Sequence, residues 1–179
     1  MIIICPVYGD VYPQIISSLI CQTYQNWELH LIHDGKSDGF IKAICDYHLD
    51  KRVHWYEEPT HTGNYGHAIR AKYLQLLKGK GDYVIISNID NYYMPVFLEK
   101  AIATFKDNPN DVATYCAQIV HNYTGFQVMN CRLKRGYIDC GQVMLKFEEA
   151  SSVGWNSLDH SADWFFFEDV AKKYGVNSF

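Results

Sequence analysis

Short apolar runs rich in β-branched residues alternate along the chain with longer stretches whose apolar positions recur every three or four residues. Ile2 to Val7 predicts a first buried strand, stopped by Pro6 and the Tyr8-Gly9-Asp10 turn. Ile15, Ile16, Leu19 and Ile20 then predict a helix, with Pro13 tolerated in its first turn. Trp27, Leu29, Leu31 and Ile32 predict a second strand, which runs into the turn formers His33-Asp34-Gly35-Lys36-Ser37-Asp38. A helix from about Phe40 to His48, a strand from Val53 to Tyr56, and a helix from about His67 to Leu77 ended by Gly79 and Gly81 continue the alternation. A strand at Tyr83, a helix from Val96 to Phe105 and a strand from Val112 to Val120 follow. Past residue 120 the pattern shortens to strands at Gln127 to Asn130 and Gln142 to Phe147 and an aromatic helix around Asp163 to Tyr174. Alternation of this kind predicts an α/β fold: a mostly parallel central sheet flanked by helices, with a mixed extension at the carboxyl side.

The strand at Tyr83 organises the rest. Its apolar run breaks abruptly into Asn88-Ile89-Asp90-Asn91, so a carboxylate flanked by carboxamides stands at a strand's carboxyl end. In an open α/β sheet that rim is where ligands bind, and Asp90 there suits a hard cation or a ribose. The alternative is a turn whose Asp90 caps the helix that Pro95 starts. Two further polar loops, Tyr8 to Asp10 and His33 to Asp38, end other strands and converge on the same rim.

Composition narrows the field. With 179 residues, 48% of them apolar, the chain is expected to form one domain over residues 1–179, with a nucleotide-binding half at 1–95 and an acceptor-side half at 96–179. A net charge of -4 argues against a nucleic-acid surface. No apolar run approaches the length of a membrane span, and Met1 runs into Ile2-Ile3-Ile4-Cys5 without a signal-peptide pattern, which gives a cytoplasmic expectation. The six cysteines form no CxxC pair and are expected as reduced, structural thiols. Neither GxGxxG nor GxxxxGK[ST] occurs, which lowers the case for a dehydrogenase or a P-loop enzyme.

Pro6-Val7-Tyr8, then Ser17-Ser18-Leu19-Ile20-Cys21-Gln22-Thr23-Tyr24-Gln25-Asn26-Trp27-Glu28-Leu29, then Asp34-Gly35-Lys36-Ser37-Asp38, resembles the amino-terminal half of family 2 glycosyltransferases. Asn88-Ile89-Asp90 matches the place of that family's DxD motif. Tyr137 to Met144 resembles its acceptor-side strand, and Ser161-Ala162-Asp163-Trp164-Phe165-Phe166 the segment that carries its catalytic base. The resemblance implies a GT-A fold and an inverting transferase that moves a sugar from a nucleotide-sugar, a UDP-sugar, to a glycan, glycoprotein or lipid-linked acceptor, with Mn2+ or Mg2+ as cofactor. It implies Asp90 as metal ligand and Asp163 as general base, with capping of the last helix the alternative for Asp163 and Asp159, Glu168 and Asp169 its competitors for the base. Pro6, Tyr8, Asp34, Asn64, His67 and Asn88 would line the nucleotide, with Arg70 one helical turn beyond His67 facing either the diphosphate or solvent. Asp139 would meet the acceptor or merely end a strand, and Trp155 or Trp164 would stack on a sugar or pack in the core, the commoner fate of such residues. Two positions depart from the family pattern: Asn88 replaces the first Asp of DxD, and His33 replaces the Asp that often precedes Asp34. Other readings are a non-catalytic nucleotide-sugar binder of the same fold and a sugar nucleotidyltransferase, although Tyr8-Gly9-Asp10 is not the Gly-rich basic loop that the second would need.

Overall fold

A computed structural model describes residues 1–9, 13–37, 50–122 and 125–175. The helix expected from about Phe40 to His48 lies outside these residues. The elements are β1 (Ile2–Val7), α1 (Pro13–Ile20), β2 (Glu28–His33), β3 (Val53–Glu57), α2 (His67–Leu76), β4 (Tyr83–Ile86), α3 (Phe97–Asp107), β5 (Ala113–Tyr115), β6 (Gln118–Asn122), β7 (Gly125–Met129), β8 (Val143–Lys146), α4 (Phe147–Val153) and α5 (Ala162–Tyr174). One sheet runs β3-β2-β1-β4-β8-β5, and β6 pairs with β7 in a separate ribbon. The first four of these strands are parallel to one another, whereas β8 is antiparallel to both β4 and β5.

Alternation along β1 explains why nearly all of it is buried, since each face meets its own core. Ile2, Ile4, Ile32, Val84 and Ile86 pack with Ile69, Leu74, Phe147, Phe166 and Val170 from α2, α4 and α5. Ile3, Cys5, Leu29, Leu31 and Ile85 pack on the other side with Ile15, Leu19, Leu98 and Phe105 from α1 and α3. The parallel strands thereby bring the ends of β1, β2 and β4 to one rim, where the polar loops begin.

Gln22 ties the amino-terminal crossover to that rim. Its buried Nε2 donates to the carbonyls of Ser18, Tyr93 and Met94 at 3.0, 3.2 and 2.9 Å, and its Oε1 accepts from Leu98 N at 3.1 Å. Thr23 N adds a bond to Pro95 O at 2.8 Å. The Gln22-Thr23 pair of the sequence motif is therefore a clamp between α1 and the segment that follows Asp90.

The strand expected from Val112 to Val120 is two strands. Cys116 N still bonds to Gln142 O, after which the chain leaves the main sheet and β6 pairs only with β7. Ile119, Phe126 and Val128 of that ribbon are exposed, so their apolar character reflects no contact with the cores. The strand expected from Gln142 to Phe147 stops at Lys146, and Phe147 begins α4, a helix that the apolar pattern does not announce. Among the described residues no helix is long and apolar enough to cross a membrane, and no disulfide joins Cys5, Cys21, Cys116, Cys131 or Cys140.

Candidate active site

Asp34 leaves β2 through a continued ladder, its N–H bonding Val7 O at 2.8 Å. Its carboxylate, 4% exposed, accepts from Thr62 N at 2.6 Å, Thr62 Oγ1 at 2.8 Å and Gly63 N at 2.8 Å, with His61 Nδ1 at 3.0 Å. A carboxylate has roughly four lone-pair sites, and these donors fill them. Burial raises the Asp34 carboxyl, but the bonds from Thr62 and Gly63 and the His61 charge outweigh it, so its pKa lies below the ordinary value. In this structure Asp34 holds the loop after β3. Tyr8 is exposed and stacks on His61 with ring centroids 4.6 Å apart.

The loop then turns through left-handed backbone at Gly63, Asn64, Tyr65 and Gly66, with φ of 65, 50, 56 and 74°. Asn64 and Tyr65 are not glycines, and such strain concentrates where a fold serves a ligand. Gly66 lies so close to Pro6 that an added Cβ would stand 2.6 Å from the proline Cβ. Pro6 and Gly66 thus form the floor beneath exposed Asn64 and Tyr65.

Arg70, 5% exposed, is the hub of the buried layer. Its Nη2 donates to Asn88 Oδ1 at 2.6 Å, its Nη1 donates to Tyr65 O, and its guanidinium lies 5.6 Å from the centre of the Trp155 ring. His67 Nδ1 is 3.5 Å from Nη1. Burial and the Arg70 charge push His67 down to about 4, so its ring is neutral and packs against Trp155. The solvent-facing arrangement that the sequence left open for Arg70 does not hold: the side chain is buried and joins the Asn88 segment to the strained loop. Asn88 Oδ1 also accepts a weak bond from Cys140 Sγ at 3.7 Å. His61, Thr62 and Cys140 carry none of the spacing signals that would single them out in the sequence.

Asp90 is exposed at the rim, and no described residue bonds its carboxylate. It does not cap α3, whose N-cap is Val96 without a side-chain bond. The turn itself is held by Ser87 Oγ, which contacts Tyr93 OH at 2.7 Å and accepts from Asn91 Nδ2 at 3.1 Å. Beside it opens a cleft of about 630 Å³, lined among others by Asp90, Tyr92, Lys100, Thr114 and Gln142.

Asp139 caps the short 3-10 turn Cys140–Gln142: its Oδ1 accepts from Gly141 N at 2.8 Å while Gln142 Oε1 accepts from Asp139 N at 2.9 Å. Asp163 stands in the first turn of α5, where its Oδ1 accepts from Trp164 N at 2.7 Å, and Ser161 occupies the N-cap. Burial raises both carboxyls. For Asp163 the Trp164 N–H opposes it, Asp139 raises it further and Arg70 lowers it; for Asp139 the Gly141 N–H and Arg70 oppose burial and Asp90 adds to it. Trp164 is half-buried against the core. Of the two readings for Trp155, sugar stacking or core packing, the structure holds core packing: it is 4% exposed, with its ring against His67 and Phe166.

The model of Glycosyl transferase family 2 matches residues 2–173. The chain belongs to that family. This family 2 chain is 38% identical over 103 residues, 56% of its length and 40% of the relative's, to an uncharacterized glycosyltransferase of Haemophilus influenzae. It is 27% identical to glycosyltransferase GlyG of Streptococcus pneumoniae, with 69% of this chain and 39% of that protein covered. The chain thus spans about two fifths of the length of these curated relatives. Among solved structures it superposes on S. aureus TarS 1-349 with a TM-score of 0.73 at 16% identity, covering 94% of this chain and 54% of that one. The same protein in complex with UDP-GlcNAc gives 0.72 at 16% identity, with 94% and 52% covered. The mannosyltransferase PcManGT of Pyrobaculum calidifontis, solved with GDP-Man and Mn2+, gives 0.65 at 18%, with 95% and 51% covered. The mostly parallel sheet flanked by helices, with the small antiparallel ribbon beside it, is the GT-A fold.

Proposed function

We propose that this family 2 chain carries the transfer centre of a metal-dependent, inverting glycosyltransferase that takes a UDP-sugar and passes the sugar to a hydroxyl of a glycan, glycoprotein or lipid-linked acceptor. One observation carries the reading: an unengaged carboxylate, Asp90, and a carboxylate of raised pKa, Asp163, both interact electrostatically with Asp139. The UDP and UDP-GlcNAc complexes of TarS lend support for the donor.

The residues fit Mn2+ or Mg2+, which bind through one or two carboxylates and complete their shells with substrate phosphates and water. Asp90 would hold the ion. Asn88 spends its oxygen on Arg70 and supplies orientation instead. When bound, the cation supplies Lewis-acid stabilisation to the departing diphosphate. Asp163 takes the proton of the acceptor hydroxyl as that oxygen forms its bond to the anomeric carbon; the bond to the diphosphate oxygen breaks, its electron pair leaves with the nucleotide, and the centre inverts. The raised pKa suits this duty, since a base works best when its pKa approaches the operating pH. The cleft beside Asp90 offers room for a sugar and part of an acceptor.

UDP release is measured with a panel of UDP-sugars, in Mn2+ and in chelator. Turnover that needs the ion, and an Asp163→Asn variant slowed on the order of 10² to 10⁴ with donor affinity kept, is the expected outcome. Donor binding without UDP release would identify a non-catalytic binder of the same fold.

A further inference from the structure

The amino end of the same sheet, away from the loop rim, carries a second cluster. Glu28 opens β2, His30 lies two residues on, and His54 on β3 is the register partner of His30. The period of two along a strand puts Glu28 and His30 on one face, and the pairing brings His54 beside them. Nε2 of His30 and Nε2 of His54 each lie 3.4 Å from the same oxygen, Glu28 Oε2. All three atoms fall within 4.8 Å of one another.

Both imidazole nitrogens are buried and meet Glu28 Oε2 as ion-pair contacts without a well-aligned hydrogen bond, and His30 as a residue is only 3% exposed. Buried polar atoms are rarely left so, and each such exception asks for an explanation. The rings are oriented rather than loose. His30 stacks on His54 with centroids 4.7 Å apart, and its other nitrogen, Nδ1, lies 3.3 Å from the Tyr56 hydroxyl. A partner on one ring nitrogen fixes which nitrogen is left to donate a lone pair, as around metal-bound histidines.

We propose that Glu28, His30 and His54 bind a divalent transition ion, with zinc the best match, at a site separate from Asp90. Tetrahedral zinc with bonds of ~2.0–2.1 Å sets neighbouring ligand atoms roughly 3.4 Å apart, which is the spacing found from Glu28 Oε2 to each nitrogen. Two imidazoles with one carboxylate favour zinc, nickel or copper over the oxygen-seeking Mg2+ and Mn2+. Glu28 and His54 keep side-chain exposures of 49% and 36%, so water can reach the remaining corner. The rim is distant: His33, which meets it, lies three residues beyond His30, roughly 10 Å along the strand. Bound there, the ion would fasten the edge strand β3 to β2.

The tag-free chain is titrated with Zn2+ by calorimetry and with Co2+ by its visible absorption, alongside thermal melts. One zinc per chain, tetrahedral Co2+ bands that Zn2+ displaces, and a raised melting point are expected. Glu28→Gln and His54→Ala, both at part-exposed positions and checked for native circular dichroism, should lose the Co2+ bands. Tyr56→Phe should weaken zinc on the order of 10- to 100-fold, the usual cost of losing a ligand's supporting bond. Asp90→Asn should retain the site. Wild-type protein without Co2+ bands, or bands that persist in both Glu28→Gln and His54→Ala, overturns the proposal.

Discussion

At the scale of single residues, the site is a set of charges whose mutual effects decide its chemistry. Asp163 accepts a proton only when ionised, and its pKa lies above the ordinary carboxyl value of 3.8. The acidic limb of the rate profile should therefore sit above that of an unperturbed Asp. Asp139 contributes to the rise, so Asp139→Asn, which keeps a capping side chain, should move the limb to lower pH. A pH profile of turnover checks this, and a limb that stays put or moves upward would separate Asp139 from the proposed role of Asp163. Some of this layer was legible in the sequence. Asp34, Asn88, Asp90 and Asp163 stand at strand ends or in the first turn of a helix, where single-chain patterns point. The donors that surround Asp34 were not, because His61 and Thr62 arrive from another strand's loop and only the fold brings them there. For Trp155 core packing was one of the two readings, but its contact with His67, distant in the chain, comes only from the fold.

At the scale of elements, two small features hold the rim. Gly66 combines φ of 74° with its contact against Pro6, so Gly66→Ala adds both strain and a clash. Its left-handed backbone alone should cost about 1–3 kcal/mol in a urea midpoint. Gln22→Leu leaves the Leu98 N–H and the Ser18 and Tyr93 carbonyls without this partner in a buried setting, and each orphaned group costs about 1–3 kcal/mol. That variant should unfold at clearly lower urea and exchange the amides of residues 93–98 faster, read by hydrogen exchange. The parallel strands and their helices were readable because β-branched runs and helical spacing are strong local signals. α4 was not, since Phe147 enters it directly from β8 with no turn former between. The β6–β7 ribbon misled for the opposite reason: its apolar residues signal a core face where the fold provides none.

At the scale of the whole molecule, the order β3-β2-β1-β4-β8-β5 follows from long-range pairing that no local pattern contains. The insertion of antiparallel β8 between β4 and β5 is the part least visible in the sequence, and the turn that Asp139 caps leads directly into it. Stability should report His67. Its folded pKa, about 4, lies below its ordinary 6.5, so the unfolded chain binds the proton more readily. The contribution is therefore fully present above pH 6.5 and is lost as the pH falls toward 4. Denaturation midpoints measured across that window should fall less in His67→Gln than in the parent chain. An equal fall in both would show that the loss arises elsewhere.

Asp34 has one further consequence. Because its carboxylate is already satisfied by the chain's own Thr62, Gly63 and His61, any nucleobase that bonds to it enters by exchange and not by simple addition. Recognition at that lip would then be a ligand substitution whose leaving group is the protein's own loop. Association should run below the diffusional pace, and loosening the loop by Thr62→Ala should quicken arrival and departure together.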